Sequence, residues 1–253
     1  MTRGAAQRGA AQRGAAQLSL EFPARWGGAR AGAGRKRAER GNVPHRARPR
    51  QRAGEPVHVT LRSRLVGLRS QHVFPTVSLA LARATRRDPA RFRVLHFSVQ
   101  RDHLHLIVEA TDARALSSGV RSVSIRVARY VNDLLSRRGP LWSDRWHGRP
   151  LRTPRAVRNA LVYVLANFRK HSRRKQAPGV DPFSSGSWFE GWRRWKPGSG
   201  VAPPFAEPAQ WLHRGAPGAP AEAPVSAART WLARTGWRRH GLVEPDDAPR
   251  SDP

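Results

Sequence analysis

The sequence predicts an α+β fold: a ferredoxin-like antiparallel sheet with helices on one face, a disordered basic N-terminal arm and a Pro/Gly-rich C-terminal tail. Three observations predict it. Apolar residues recur with the period of a strand or a helix, in the order strand, helix, strand, strand, helix, across residues 56–139. The two central strands flank a short polar turn, as in a β-hairpin. Both ends of the chain are rich in Gly, Ala, Pro and Arg, a composition that does not form a packed core.

Composition divides the chain into three regions. Residues 1–55 form the basic arm, which opens with three RGAAQ repeats and carries 13 basic residues against 3 acidic ones. Residues 56–195 form the folded domain. Residues 196–253 form a low-complexity tail, in which residues 226–239 have the pattern of a short helix. We assign no site residue to the arm, because its repeats are equally typical of low-complexity sequence without a role.

The first elements follow in chain order. Residues 57–62 alternate apolar and polar side chains, which predicts a strand. Residues 76–87 predict a helix that ends before Pro89. Residues 94–109 predict the hairpin, with its polar turn at residues 100–102.

Two further helices flank a strand-like segment. Residues 113–137 carry apolar residues at spacings of three and four and predict an amphipathic helix that Gly139 and Pro140 stop. Residues 141–152 predict the next strand or a strand-like arm. Residues 153–171 predict the last helix, with Thr153 as its N-cap. The buried stripe of this last helix is Val157, Leu161, Val164 and Phe168.

Two histidines lie two residues apart on the second hairpin strand. Period-two alternation places His103 and His105 side by side, on the face opposite Leu104, Leu106 and Val108. Neutral imidazoles at this spacing can hold one divalent ion when further ligands arrive from elsewhere in the fold. The same pattern is also typical of a polar, solvent-facing strand.

A tyrosine lies at the edge of the apolar face of the last predicted helix. At 100° per residue, Tyr163 and Asn167 are neighbours at the edge of the buried stripe. A tyrosine there can bury its ring and still direct its hydroxyl into a cleft. Most tyrosines in such positions only pack the core, and the chain's other tyrosine, Tyr130, lies on the preceding helix.

Charge and composition narrow the class of partner. The formal net charge of +30 implies a polyanion, with nucleic acid as the leading candidate. A GC-rich genome also raises Arg, Ala, Gly and Pro content, so the excess of Arg has a second explanation. Absence of Cys excludes disulfides and thiolate metal sites. No apolar run is long enough to span a bilayer, so we expect no membrane partner and a cytoplasmic, nucleoid-associated location.

The segment His103-Leu104-His105 between hydrophobic strands resembles the HUH motif of single-tyrosine transposases, particularly the branch associated with repetitive extragenic palindromes. The residues from Tyr163 to Phe168 are similar to the family's YI-x-x-NP segment. Residues 141–146 and 181–192 are similar to two further family segments, so the resemblance covers about residues 56–194. Phe168 replaces the usual proline, and basic residues 169–175 replace the segment that follows it.

The resemblance implies a role for each matching residue. Tyr163 would be the nucleophile, and His103, His105 and Asn167 would bind Mg²⁺ or Mn²⁺. Phenol is a poor nucleophile near neutral pH, so the site must stabilise phenolate and the charge on the phosphate, which a cation held by these ligands does. The product would be a covalent 5′-phosphotyrosine and a free 3′ hydroxyl. The implied partner is single-stranded or hairpin DNA, and homodimers are common in the family.

Basic and aromatic residues around this site are candidate DNA contacts. Trp142 and Trp146 can stack on unpaired bases, although core packing is the commoner role of tryptophan. His147 is a further candidate polar contact or an ordinary surface residue. The candidate DNA-binding residues are Arg101, Arg121, Arg145, Trp146, Arg169 and Lys170.

The sequence supports three functions. The first is a transposase-like endonuclease that nicks and rejoins DNA through Tyr163. The second is a domesticated or catalytically inactive descendant that binds nucleic acid without cutting it. The third is a basic RNA-binding or structural protein whose histidine pair is incidental.

Overall fold

Four antiparallel strands form one sheet at the centre of the computed structural model, which describes residues 51–166, 180–193, 224–245 and 247. The strands are β1 (Val57–Arg62), β2 (Phe92–Val99), β3 (His103–Ala110) and β4 (His147–Pro150), in the spatial order β2-β3-β1-β4. Within these residues the α-helices are α1 (Phe74–Thr85), α2 (Ala113–Leu134), α3 (Pro154–Ala166) and the short α4 (Trp231–Arg234), and Ser185–Trp188 and Gly236–His240 are 3-10 helices. This order of strands and helices confirms the predicted α+β, ferredoxin-like class.

The sheet is buried on both faces. Leu104, Leu106 and Val108 pack with α1 and α2 in the larger core, as predicted. Ile107 faces the other way and packs with α3 in a second core, together with Leu95 of β2. The helices that follow the first and third strands therefore share one face, as predicted. Helix α3 covers the opposite face, where the polar residues of β3 lie, so the expectation of helices on one face only does not hold for α3.

Helix boundaries agree closely with the capping signals in the sequence. Pro75 lies in the first turn of α1, where a missing N–H removes no helical hydrogen bond. The Asp112 side chain accepts a hydrogen bond from the Ala115 N–H at 2.7 Å and caps α2. Thr153 Oγ1 accepts from the Ala156 N–H at 3.1 Å, so the predicted cap of α3 is confirmed. No helix among the described residues is long and apolar enough to cross a membrane.

Residues 224–243 pack against the domain, although their composition predicts a low-complexity tail. Trp237 is 2% exposed and belongs to the core under α3. Val243 pairs with Trp192 in a β-bridge, and the Ser226 N–H donates to the Val94 carbonyl at 2.8 Å. The helical pattern of residues 226–239 is seen in α4 and the 3-10 helix Gly236–His240, but composition gave no indication that this segment packs against the domain.

His96 makes the stability of the fold depend on pH. Its ring lies between Ser185 Oγ, 3.3 Å from Nδ1, and the Phe189 ring, and burial lowers its pKa from 6.5 to about 4. Between these values the unfolded chain binds a proton that the folded chain does not, so stability falls as the pH falls. We expect His96 to account for a loss of about 3 kcal/mol between pH 7 and pH 4.

Urea unfolding at several pH values measures this contribution. His96→Gln removes the titrating group and should flatten the slope between pH 4 and pH 6.5, whatever the other histidines contribute. Equal slopes in the wild type and in His96→Gln would contradict the assignment.

Candidate active site

Strand β3 presents the histidine pair on the face that α3 covers. The rings of His103 and His105 stack at an angle of 11°, with centroids 6.0 Å apart. His105 is 6% exposed, whereas a third of the His103 side chain is open to solvent. The pair therefore has one buried member and one member at the edge of the site.

The Nδ1 atom of each ring has a hydrogen-bond partner. His103 Nδ1 lies 2.7 Å from Asp102 Oδ1, and His105 Nδ1 lies 3.2 Å from Thr60 Oγ1. A carboxylate only accepts hydrogen bonds, so Nδ1 of neutral His103 carries the proton and Nε2 carries the lone pair. In metal-binding histidines, a hydrogen bond at one ring nitrogen usually fixes the tautomer, so that the lone pair of the other nitrogen can bind the cation.

Tyr163 reaches the histidines from α3. Its ring meets His105 edge-on, with centroids 5.2 Å apart and an angle of 90°. Val157, Leu161 and Val164 anchor the helix in the second core, and Tyr163 is partly buried beside them. The structure thus brings Tyr163, His105 and His103 together on one side of the sheet.

Tyr130 lies elsewhere. It is on α2, in the layer on the opposite face of the sheet, where its hydroxyl accepts a hydrogen bond from Arg83 of α1. The sheet separates this phenol from the histidine pair.

Two residues of β1 join the site without having been predicted there. His58 Nε2 lies 3.3 Å from His105 Nδ1, and the His58 ring is 5.5 Å from the Tyr163 ring. Thr60 is directly opposite His105 in the β1–β3 register. Their alternation with Val57 and Val59 indicated a polar face, but the pairing of β1 with β3 across more than 40 residues was not readable from that pattern.

The donor set fits two positions of a cation site. The two imidazoles are ligand types that bind divalent metals, and the Asp102 carboxylate at Nδ1 of His103 is the kind of partner that metal-binding histidines have. Among the described residues, no group of three or more His, Cys, Asp or Glu side chains is arranged to hold a metal. The predicted third ligand, Asn167, lies outside the described residues, so its role stays a prediction.

The predicted DNA contacts lie on different parts of the surface. Arg101 is exposed in the hairpin turn beside His103, and Arg145 is exposed just before β4. Arg121 is exposed on α2, in the layer opposite the histidines. Arg169 and Lys170 lie outside the described residues.

The two tryptophans before β4 pack against the larger core. Trp146 is partly buried and its ring lies against Gly148, where an added Cβ would approach within 2.5 Å. Trp142 is partly buried against the same core and donates from its indole nitrogen to the Ser124 carbonyl at 2.9 Å. His147 is exposed on β4, opposite Thr60 in the register.

No protein-family model matches the chain, and a search of curated proteins finds no match. Among solved structures, the chain is similar to that of a REP-associated tyrosine transposase bound to a REP hairpin. The two are 19% identical, with a TM-score of 0.41, and the match covers 53% of this chain and 78% of the other. At this identity and TM-score the likeness gives no residue its role.

Proposed function

We propose that the protein is a DNA-nicking and strand-rejoining enzyme of the HUH type, which acts on single-stranded or hairpin DNA through Tyr163. The observation that carries this proposal is the packing of the Tyr163 ring against His105, next to His103, on one face of the sheet. A phenol beside two oriented imidazoles is an arrangement suited to phosphoryl transfer.

The reaction exchanges one phosphodiester for another. Tyr163 Oη attacks the phosphorus, the P–Oη bond forms as the P–O3′ bond breaks, and the leaving oxygen takes up a proton in place of the one the phenol gives up. The products are a 5′-phosphotyrosine and a free 3′ hydroxyl. The reverse attack by a 3′ hydroxyl rejoins a strand without an external energy source, because the ester bond is conserved.

His103, His105 and Asn167 are the residues that would hold Mg²⁺ or Mn²⁺. The bound cation would polarise a phosphoryl oxygen and offset the negative charge that develops there. Asp102 and Thr60 orient the two rings through their Nδ1 atoms, 2.7 Å and 3.2 Å away. Packing of α3 on the sheet places the Tyr163 ring against His105, which restricts the positions that the nucleophile can take.

Charge supports a polyanionic substrate. The net charge of +30 far exceeds what solubility needs, and Arg101 and Arg145 are exposed near the ends of β3 and β4. Arginine contacts to phosphates release counterions, so we expect affinity for DNA to fall steeply as the salt concentration rises.

The test is formation of a covalent adduct on a labelled single-stranded oligonucleotide in Mn²⁺. An adduct that survives denaturing electrophoresis, and that EDTA or His103→Ala reduces at least about 100-fold, is the expected result. His72→Ala is the matched control, because His72 is an exposed histidine just before α1, a helix on the other face of the sheet. Tight binding with no adduct would instead support the catalytically inactive descendant.

A further inference from the structure

The surface of the C-terminal segment carries an exposed tryptophan among arginines. Trp231 is 51% exposed, which is unusual for the largest apolar side chain. Arg234, Arg238 and Arg239 follow it within eight residues and are exposed, and Arg239 contacts its ring. We call these four residues the C-terminal platform.

The Trp231 ring is held in place. Thr230 caps α4 by accepting a hydrogen bond from the Ala233 N–H at 3.3 Å, which fixes the backbone at Trp231. The guanidinium of Arg239 lies 4.8 Å from the ring centroid. Gly236 allows the ring to lie against the chain, because a Cβ there would approach the indole within 2.8 Å. A ring fixed before binding loses less conformational entropy when a ligand stacks on it.

The charge of the platform is not neutralised within the described part of the chain. Arg234, Arg238 and Arg239 form no ion pair with a described carboxylate, and residues 229–243 contain no Asp or Glu. The two acidic groups that follow and that the structure describes have other cations: Arg193 lies 2.9 Å from Glu244, and Arg158 lies 3.0 Å from Asp247. The surface therefore combines a fixed aromatic ring with uncompensated positive charge.

The platform is fastened to the helix that carries Tyr163. Arg158 of α3 donates hydrogen bonds to the Gly241 and Leu242 carbonyls, each at 3.1 Å. Trp237, between Arg234 and Arg238, is buried in the core under α3. A strand bound on the platform would thus be held at a constant position relative to the nucleophile.

We propose that the C-terminal platform binds single-stranded nucleic acid, with one unpaired base stacked on Trp231 and its flanking phosphates bound by Arg234, Arg238 and Arg239. Indole faces stack on any base, and guanidinium groups bind phosphates in pairs of hydrogen bonds. The inference deepens the proposed function, on which it rests for the identity of the nucleic acid as DNA.

The experiment measures binding of the full chain to a fluorescent single-stranded 20-mer of mixed sequence, in EDTA so that cleavage does not interfere. Trp231→Ala should weaken binding about 10-fold, the effect expected for one stacked base, and Trp231→Phe should stay within about threefold of the wild type. Gly236→Ala, which displaces the indole without removing it, should also weaken binding. Arg238→Ala with Arg239→Ala should lower the salt slope by about 0.7 for each phosphate that the variant no longer binds.

Matched controls separate stacking from a general change of the surface. Ile125→Ala removes another exposed apolar side chain, 47% exposed on α2, and Arg129→Ala removes another exposed α2 arginine; both should bind like the wild type. The affinity for the same 20-mer paired with its complement should be equal in Trp231→Ala and the wild type. Equal weakening for duplex and single strand, or unchanged binding by Trp231→Ala, would overturn the proposal. The adduct assay in Mn²⁺ reports on Tyr163 independently, so either proposal can fail alone.

Discussion

Tyr163→Phe is expected to abolish the covalent protein–DNA adduct while the protein still folds and binds single strands. The substitution removes only Oη, the atom proposed to bond to phosphorus, and keeps the ring that meets His105 at 5.2 Å and His58 at 5.5 Å. Loss of the nucleophile in covalent catalysis removes most of the rate enhancement, so adduct formation should fall at least about 1,000-fold. Denaturing electrophoresis of the labelled strand measures it.

Tyr130→Phe is the matched control. Its hydroxyl contacts Arg83 in the layer on the other face of the sheet, so its removal should leave adduct formation within about twofold of the wild type. Urea unfolding of both variants checks that neither has lost its fold. A persistent adduct in Tyr163→Phe, or an adduct lost only in Tyr130→Phe, would show that Tyr163 is not the nucleophile.

The parts of the site that lie on one element could be predicted from the sequence. Period-two alternation placed His103 and His105 on one face of β3, and helical periodicity placed Tyr163 beside the buried stripe of α3. Both are local properties of a strand or a helix. The third ligand, Asn167, lies outside the described residues and remains a prediction.

Residues that join the site through strand pairing could not be predicted in the same way. His58 and Thr60 lie beside His105 because β1 pairs with β3 in one particular register, and a shift by one residue would turn both to the other face. The position of α3 on this face also depends on contacts between residues that are far apart in the sequence, so it could not be predicted from α3 alone. Leu95 and Ile107 are apolar residues on the otherwise polar face of the hairpin, and they pack with α3 there.

The C-terminal segment depends on hydrogen bonds between residues far apart in the sequence. Glu109 at the end of β3 accepts hydrogen bonds from the Arg229 N–H and from the N–H and hydroxyl of Thr230, about 120 residues later. An acidic residue at the end of a hydrophobic strand gives no local signal of such a partner. Contacts of this kind explain why composition alone did not indicate that residues 224–243 pack against the domain.

Glu109→Gln should lower the free energy of unfolding by about 3–5 kcal/mol, the range for breaking a buried ion pair on one side. Glu109 is 1% exposed and lies 2.8 Å from Arg93 Nη2, whose side chain is 9% exposed. The amide keeps the shape of the carboxylate but leaves the guanidinium of Arg93 uncompensated in the core. Urea unfolding measures the change, and Glu190→Gln, an exposed carboxylate, should stay within about 0.5 kcal/mol of the wild type.

Lowering the pH should also remove the stability that the Arg93–Glu109 ion pair contributes. Burial alone would raise the pKa of Glu109, but hydrogen bonds from the Arg229 N–H, Thr230 and Arg93 outweigh burial and lower the pKa below its usual value of 4.5. A carboxyl with a lowered folded-state pKa stabilises the fold above its unfolded-state pKa and loses that contribution as the pH falls through the folded-state value. The difference in stability between wild type and Glu109→Gln should therefore narrow below about pH 4.5.

Proteolysis shows whether Glu109 also holds the C-terminal segment. If it does, the backbone around Arg229 and Arg234, whose side chains are already exposed, should unfold locally in Glu109→Gln, and trypsin should cleave there at temperatures where the remaining domain is still folded. Such early cleavage would release the platform from α3, and single-strand binding should then weaken as it does in Trp231→Ala. A variant that unfolds in one step, with no early cleavage in residues 229–234, would mean that the segment and the sheet form a single cooperative unit and that Glu109 stabilises both together.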